Sequence, residues 1–225
     1  MRLPFFRRDG TSIVEVGIAR ALKGEGCPIC RLVREGEEGF LWTMLYESSG
    51  DLRAHGEFCS SLGLCSRHAS LLEKMVRERN LITPSGVARF YQSLSAYVRE
   101  RIWKGIPEGR CRLCTYAHAA ATRYAGALAR YLEAEINRDL YERSDGLCLP
   151  HLRATLAAAR PRVREFLRGD FVRRLNELEK ALQELQRKQS YDVPETPTPE
   201  ESAAWTEALW RFGGMEFEEL ITKEP

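Results

Sequence analysis

The sequence carries almost no β-strand signal. It has no sustained two-residue alternation, no Asn-Gly or Asp-Gly hairpin between β-branched runs, and few clusters of Val or Ile. Sandwiches, barrels and doubly wound sheets are therefore excluded. Also missing is any apolar run approaching the roughly 20 residues of a membrane span. Phe5 and Phe6, set among Arg2, Arg7 and Arg8, lack the apolar stretch that follows the charged start of a signal peptide. The expectation is a cytoplasmic chain with no membrane segment. An excess of one charge is absent as well: 34 Lys+Arg against 32 Asp+Glu leave +2 on 225 residues. With 44% hydrophobic and 29% charged residues, neither a disordered acidic chain nor a polycationic one is in question. Lysine is scarce, six of the 34 basic residues, which fits a G+C-rich or heat-loving host as readily as a need for forked donors.

The even balance conceals a split. Residues 190–225 hold nine acidic side chains against Arg211 and Lys223, a net −7, which leaves +9 on residues 1–189. A Pro-rich linker over 190–200, with Pro194, Pro197 and Pro199, separates the body from an acidic C-terminal helix and tail over 201–225. Trp205, Leu209 and Phe212 form one stripe of that helix, and Gly213-Gly214 stops it. The stripe is expected to dock on the basic body.

What the chain has in abundance is helical periodicity. Helices are expected from Thr11 or Ser12 to about Leu22, from Cys27-Pro28 through Leu45, from Ser66 through Met75, and from Thr83-Pro84 to about Gly105. Three more are expected over about 112–143, 150–168 and 170–188. The fold class is all-α. Phe171, Leu175, Leu178, Leu182 and Leu185 step by four and three, a short heptad seam that packs on its own domain or serves as a homodimer contact.

Seven cysteines and four histidines then show an internal repeat. Cys27-Pro-Ile-Cys30 recurs as Cys111-Arg-Leu-Cys114, and Gly63-Leu-Cys65-Ser-Arg-His68 recurs as Gly146-Leu-Cys148-Leu-Pro-His151. The copies, approximately residues 24–80 and 108–168, are offset by 84 residues at the first motif and 83 at the second. Two intervening residues let both side chains converge from a tight turn. A helix start also favours thiolate, the form that binds metal. Gly24, Gly26, Gly63, Gly109 and Gly146 supply the approach to each turn.

Each copy reads as C-x-x-C, long helix, C-x-x-H, helix. Each is expected to close its own site, Cys27, Cys30, Cys65 and His68 in the first copy and Cys111, Cys114, Cys148 and His151 in the second. Residues 51–59 and 137–145 would serve as return segments. Three thiolates and one imidazole suit a closed tetrahedral zinc site, so two zinc ions are expected. An iron–sulfur cluster of mixed ligation and metal-free buried or redox thiols are the alternatives. Haem attachment is excluded, because Arg31 and Thr115 stand where C-x-x-C-H needs histidine, and a thioredoxin-like role lacks its βαβ setting.

Cys59 is the odd cysteine and reads as a small buried residue. His118 follows Cys114 by four positions and could reach the second metal, while His55 has no counterpart and is expected at the surface. Arg160, Arg162, Arg164, Arg168, Arg173 and Arg174 could form a phosphate surface. Nucleic acid is not favoured as a partner, because interleaved aromatics and a known reading motif are absent.

At the C-P-I-C and Gly-x-Cys-x-x-His motifs the chain resembles a family of uncharacterised bacterial proteins, a domain-of-unknown-function family. Its members carry an aromatic residue where Leu64 and Leu147 stand, a Pro where Arg112 stands, and a closing Trp-containing helix like that from Trp205 to Gly213. The resemblance implies no established activity. No nucleophile with an adjacent base and no phosphate-cradling loop emerges, so the sequence points to a metal-binding helical interaction protein of unidentified partner rather than an enzyme.

Overall fold

A computed structural model describes residues 13–78, 83–105 and 107–214. Among these residues there are ten α-helices and no strand: α1 (Ile13–Ala21), α2 (Pro28–Tyr46), α3 (Leu52–Ser60), α4 (Ser66–Glu78), α5 (Pro84–Arg101), α6 (Arg112–Tyr131), α7 (Ile136–Glu142), α8 (Leu149–Ala158), α9 (Pro161–Lys188) and α10 (Pro199–Gly213). No helix among them is long and apolar enough to cross a membrane. The proposed caps Thr11 and Ser12 and the acidic tail beyond Gly214 lie outside the described residues.

The chain forms two compact units. Among the described residues, one takes 13–32 and 122–214 and the other 33–121. Neither unit is one copy of the repeat, because the division runs through α2 and through α6.

The second unit is built around Leu41, Leu45, Phe58, Leu71, Leu72, Met75, Phe90 and Leu113. Phe58 meets Phe90 at 5.2 Å and the edge of Tyr91 at 5.3 Å. A fully buried phenylalanine of this kind stabilises the fold by about 1.5–3 kcal/mol. His55 is half-buried against this core rather than fully at the surface. Its ring stacks on Phe90 at 4.2 Å, Nδ1 pairs with Ser93 Oγ at 2.7 Å, and Nε2 reaches the Ser49 carbonyl at 3.0 Å. With both nitrogens satisfied, its ring can pack on Phe90 without leaving a polar atom unpaired.

In the first unit the expected helix over 112–143 is two. The side chains of Asn137 and Arg138 donate to the carbonyls of Tyr131 and Leu132 at 2.8 and 3.0 Å, satisfying the last turn of α6 and ending it there. The expected break near Gly169 falls instead at Pro161. Arg160 before it is extended (φ −75°, ψ 162°) and Pro161 opens α9, whereas a helical glycine such as Gly169 costs only about 1 kcal/mol. The heptad seam is covered by the chain itself. Phe171, Leu178 and Leu185 are buried, and α10 packs along α9.

α10 begins two residues earlier than expected, with Pro199 in its first turn. Thr198 and Glu201 form a capping box, Thr198 Oγ1 accepting from the Glu201 N–H at 3.2 Å and the Glu201 carboxylate from the Thr198 N–H at 2.8 Å. Its docked face is the reverse of the expected one. Ala204 and Arg211 are buried, while Trp205, Leu209 and Phe212 are 57%, 65% and 51% exposed. Charge and hydrogen bonding decide the orientation: Lys188 pairs with Glu201 at 2.8 Å, and Arg211 reaches inward.

Part of the arginine run is likewise consumed internally. Arg174 is paired with Asp170 at 2.7 Å and with the Glu142 carbonyl at 3.0 Å, and Arg173 with Asp170 and Glu177. Arg164 donates to the Leu156 carbonyl at 2.8 Å.

Candidate metal centres

All four motifs sit at helix starts in one geometry. Cys27, Cys65, Cys111 and Cys148 each precede a helix, and their carbonyls accept the first intrahelical bond, from Arg31, Ala69, Thr115 and Leu152. The second ligand of each motif, Cys30, His68, Cys114 or His151, is the third helical residue. The N-cap and third helical positions face each other in a capping box, so this spacing brings two side chains together ahead of the free N–H groups. Gly63 and Gly146 each stand two residues before a ligand with φ of 74° and 73°, a left-handed turn that a side chain would strain.

The eight predicted ligands form two sets of four, and the pairing is exchanged. Cys27, Cys30, Cys148 and His151 make one set, in the first unit. Cys65, His68, Cys111 and Cys114 make the other, in the second; within each set the donor atoms all lie within 4.8 Å of one another. The expectation that each copy closes its own site is therefore overturned. α2 has 19 residues and is about 28 Å long, so it carries the chain away from Cys27 and Cys30 before Cys65 and His68 are reached. It runs from Cys27 and Cys30 in one unit into the other, and α6 returns the chain from Cys111 and Cys114 to Cys148 and His151.

The donor distances fit a tetrahedron. In the first set Cys30 Sγ lies 3.7 Å from Cys148 Sγ, and His151 Nδ1 lies 3.5, 3.2 and 3.2 Å from the sulfurs of Cys27, Cys30 and Cys148. In the second Cys65 Sγ lies 3.5 Å from Cys114 Sγ, and His68 Nδ1 lies 3.2, 3.4 and 3.4 Å from the sulfurs of Cys65, Cys111 and Cys114. A zinc ion bound at about 2.3 Å to sulfur and about 2.0–2.1 Å to nitrogen has S···S edges of about 3.8 Å and S···N edges of about 3.6 Å. None of the seven cysteines is in a disulfide.

Electrostatics give the same reading. Three thiols this close cannot all ionise without a cation between them. Burial pushes the Cys27 thiol up, but hydrogen bonds from Cys148, Cys30 and His151 outweigh it and hold the group well below its ordinary value. Its neighbour Cys30 is driven far up by its hydrogen bonds to Cys148 and Cys27 and by burial. His151 loses by burial but gains more from Cys148 and Cys27, rising to about 10. In the second set, desolvation and the sulfurs of Cys65 and Cys111 push Cys114 up to about 12.

The two sets differ in their surroundings. His68 is fully buried, and its Nε2 meets Glu37 Oε1 at 3.0 Å; Glu37 is itself fully buried and paired with Arg67 at 3.1 Å. A carboxylate behind a ligating imidazole fixes its tautomer and raises its basicity. The 84-residue offset places Ala121 where Glu37 stands, so the other set has no equivalent.

The first set is braced by α10 instead. Arg211 donates to the carbonyls of Asp145 and Leu147 at 2.7 and 3.3 Å, and a side chain at Gly214 would lie 3.8 Å from Cys30 Sγ and 4.0 Å from Cys148 Sγ. Sequence reasoning missed Glu37, Asp145, Arg211 and Gly214. Only Gly214, at the expected helix stop, left a trace. Cys59 is buried outside both sets, as expected, and His118 is exposed and belongs to neither.

A scan against protein-family models and searches of curated proteins and of solved structures give no match to this chain.

Proposed function

We propose that this chain holds two structural zinc ions and acts as a helical interaction module rather than an enzyme. The observation that carries the reading is the pair of S₃N donor sets at tetrahedral spacing. Four protein ligands close the coordination shell and leave no position for a substrate, which is the arrangement of structural rather than catalytic zinc. Seven cysteines outside any disulfide fit a reducing, cytoplasmic setting. The uncharged stripe of Trp205, Leu209 and Phe212 supports a role in protein contacts, since exposed apolar patches on a folded chain mark such surfaces.

Metal analysis with an absorption spectrum on anaerobically purified protein tests the proposal. The expected result is colourless protein with two zinc ions per chain. Brown protein with sulfur-to-iron bands, or full-length folded protein without metal, overturns it.

A further inference from the structure

The two centres differ in how far solvent reaches their sulfurs. Cys27, Cys30 and Cys148 are 0%, 7% and 0% exposed. In the other set Cys65 and Cys111 are partly exposed and Cys114 is exposed. Cys114 is the third residue of α6, and Cys65 Sγ stands 3.5 Å from its sulfur; zinc bound to the set would hold both sulfurs as thiolates. Reactive cysteines combine thiolate character, solvent access and a nearby resolving thiol. Only the second set offers all three.

We propose, resting on the zinc reading above, that the Cys65/His68/Cys111/Cys114 centre is a peroxide-responsive zinc switch and that the Cys27/Cys30/Cys148/His151 centre is its inert counterpart. The Cys114 thiolate attacks one oxygen of the peroxide, the O–O bond breaks, and hydroxide leaves, giving a sulfenic acid. The Cys65 thiolate then attacks the Cys114 sulfur, the S–O bond breaks, a second hydroxide leaves, and a disulfide forms. Two thiolates lose two electrons and one hydrogen peroxide gains them. The disulfide would leave only Cys111 and His68 as donors, too few to retain a bound zinc ion. Glu37 and Arg67 hold His68 in place throughout, so that a reductant restores the site.

The test uses the full-length protein loaded with two zinc ions, treated with hydrogen peroxide and followed by a colorimetric zinc chelator and by peptide mapping. One equivalent of zinc should leave at least about tenfold faster than the other, with a Cys65–Cys114 disulfide appearing in step and dithiothreitol with added zinc reversing both. Equal release of both ions, retention of both, or first oxidation at Cys27, Cys30 or Cys148 overturns the proposal. A Cys111–Cys114 bond overturns the assignment of Cys65. Zinc content measured before oxidation tests the zinc reading separately: two bound ions with the wrong release pattern refute only the switch.

Discussion

Arg211 and Asp145 together brace one candidate metal centre. The Arg211 guanidinium, 2% exposed, donates to the Asp145 carbonyl at 2.7 Å, while the Asp145 carboxylate accepts the Gly26 N–H at 2.5 Å. Gly26 precedes Cys27 and Asp145 precedes Gly146-Leu147-Cys148, so one aspartate ties together the two turns that present the ligands.

Arg211→Ala should therefore leave two buried carbonyls with fewer donors and destabilise the first unit by about 1–3 kcal/mol. Chelator competition should show weaker zinc at Cys27/Cys30/Cys148/His151 and unchanged zinc at the other centre. Equal weakening of both would contradict the assignment.

Exchanged pairing has a signature in zinc stoichiometry. Cys30→Ser and Cys148→Ser should each leave one tightly bound ion, and so should the double variant, since both remove ligands of one centre. Cys30→Ser combined with Cys65→Ser should leave none. If each copy closed its own site, the last two outcomes would be reversed.

Glu37→Gln keeps the shape but withdraws the charge behind His68. The expected loss is about 10- to 100-fold in zinc affinity at the second centre alone, measured by competition with a chromophoric chelator.

Acidity enters through His151. In the metal-free protein its pKa is raised to about 10, above the unfolded value. Its contribution to metal-free stability is therefore fully present below about 6.5 and fades as pH rises through about 10. A metal needs the neutral ring, so zinc uptake at pH 7 must expel that proton, and affinity must rise with pH. Calorimetry at pH 7 in buffers of different ionisation enthalpy should show net proton release, and a binding constant independent of pH would be incompatible with this centre.

The two faces of α10 should respond oppositely. Trp205→Ala and Leu209→Ala, on the exposed face, should shift stability by no more than about 0.5 kcal/mol. Ending the chain at Ser190 should expose Phe171, Leu178 and Leu185 and bring aggregation, read by light scattering.

The helical class and the eight ligands were legible because both rest on local spacing. Periodicity marks helices, and Cys-x-x-Cys places two sulfurs at the same helix start wherever the chain goes. Which pairs meet depended on what α2 does over its whole length, and no spacing between Cys30 and Cys65 encodes that. Glu37 was hidden because an acidic residue within a helix usually reads as a solvated face. The docked side of α10 is not the aromatic one that its stripe suggests, because Arg211 and Glu201 have fixed partners in Leu147, Asp145 and Lys188 that periodicity does not encode.

The crossing of α2 and α6 between units also makes each copy of the repeat insufficient alone. A chain cut to either copy would carry two half-sets of ligands and no complete one, a thiol pair at the start of α2 or α6 and a thiol–imidazole pair at the start of α4 or α8. Such a fragment could saturate its metals only against a second fragment that supplies the missing halves reciprocally. In this chain the two halves are covalently tethered. The tether replaces a concentration-dependent assembly step with an intramolecular one, so metal occupancy should not vary with protein concentration.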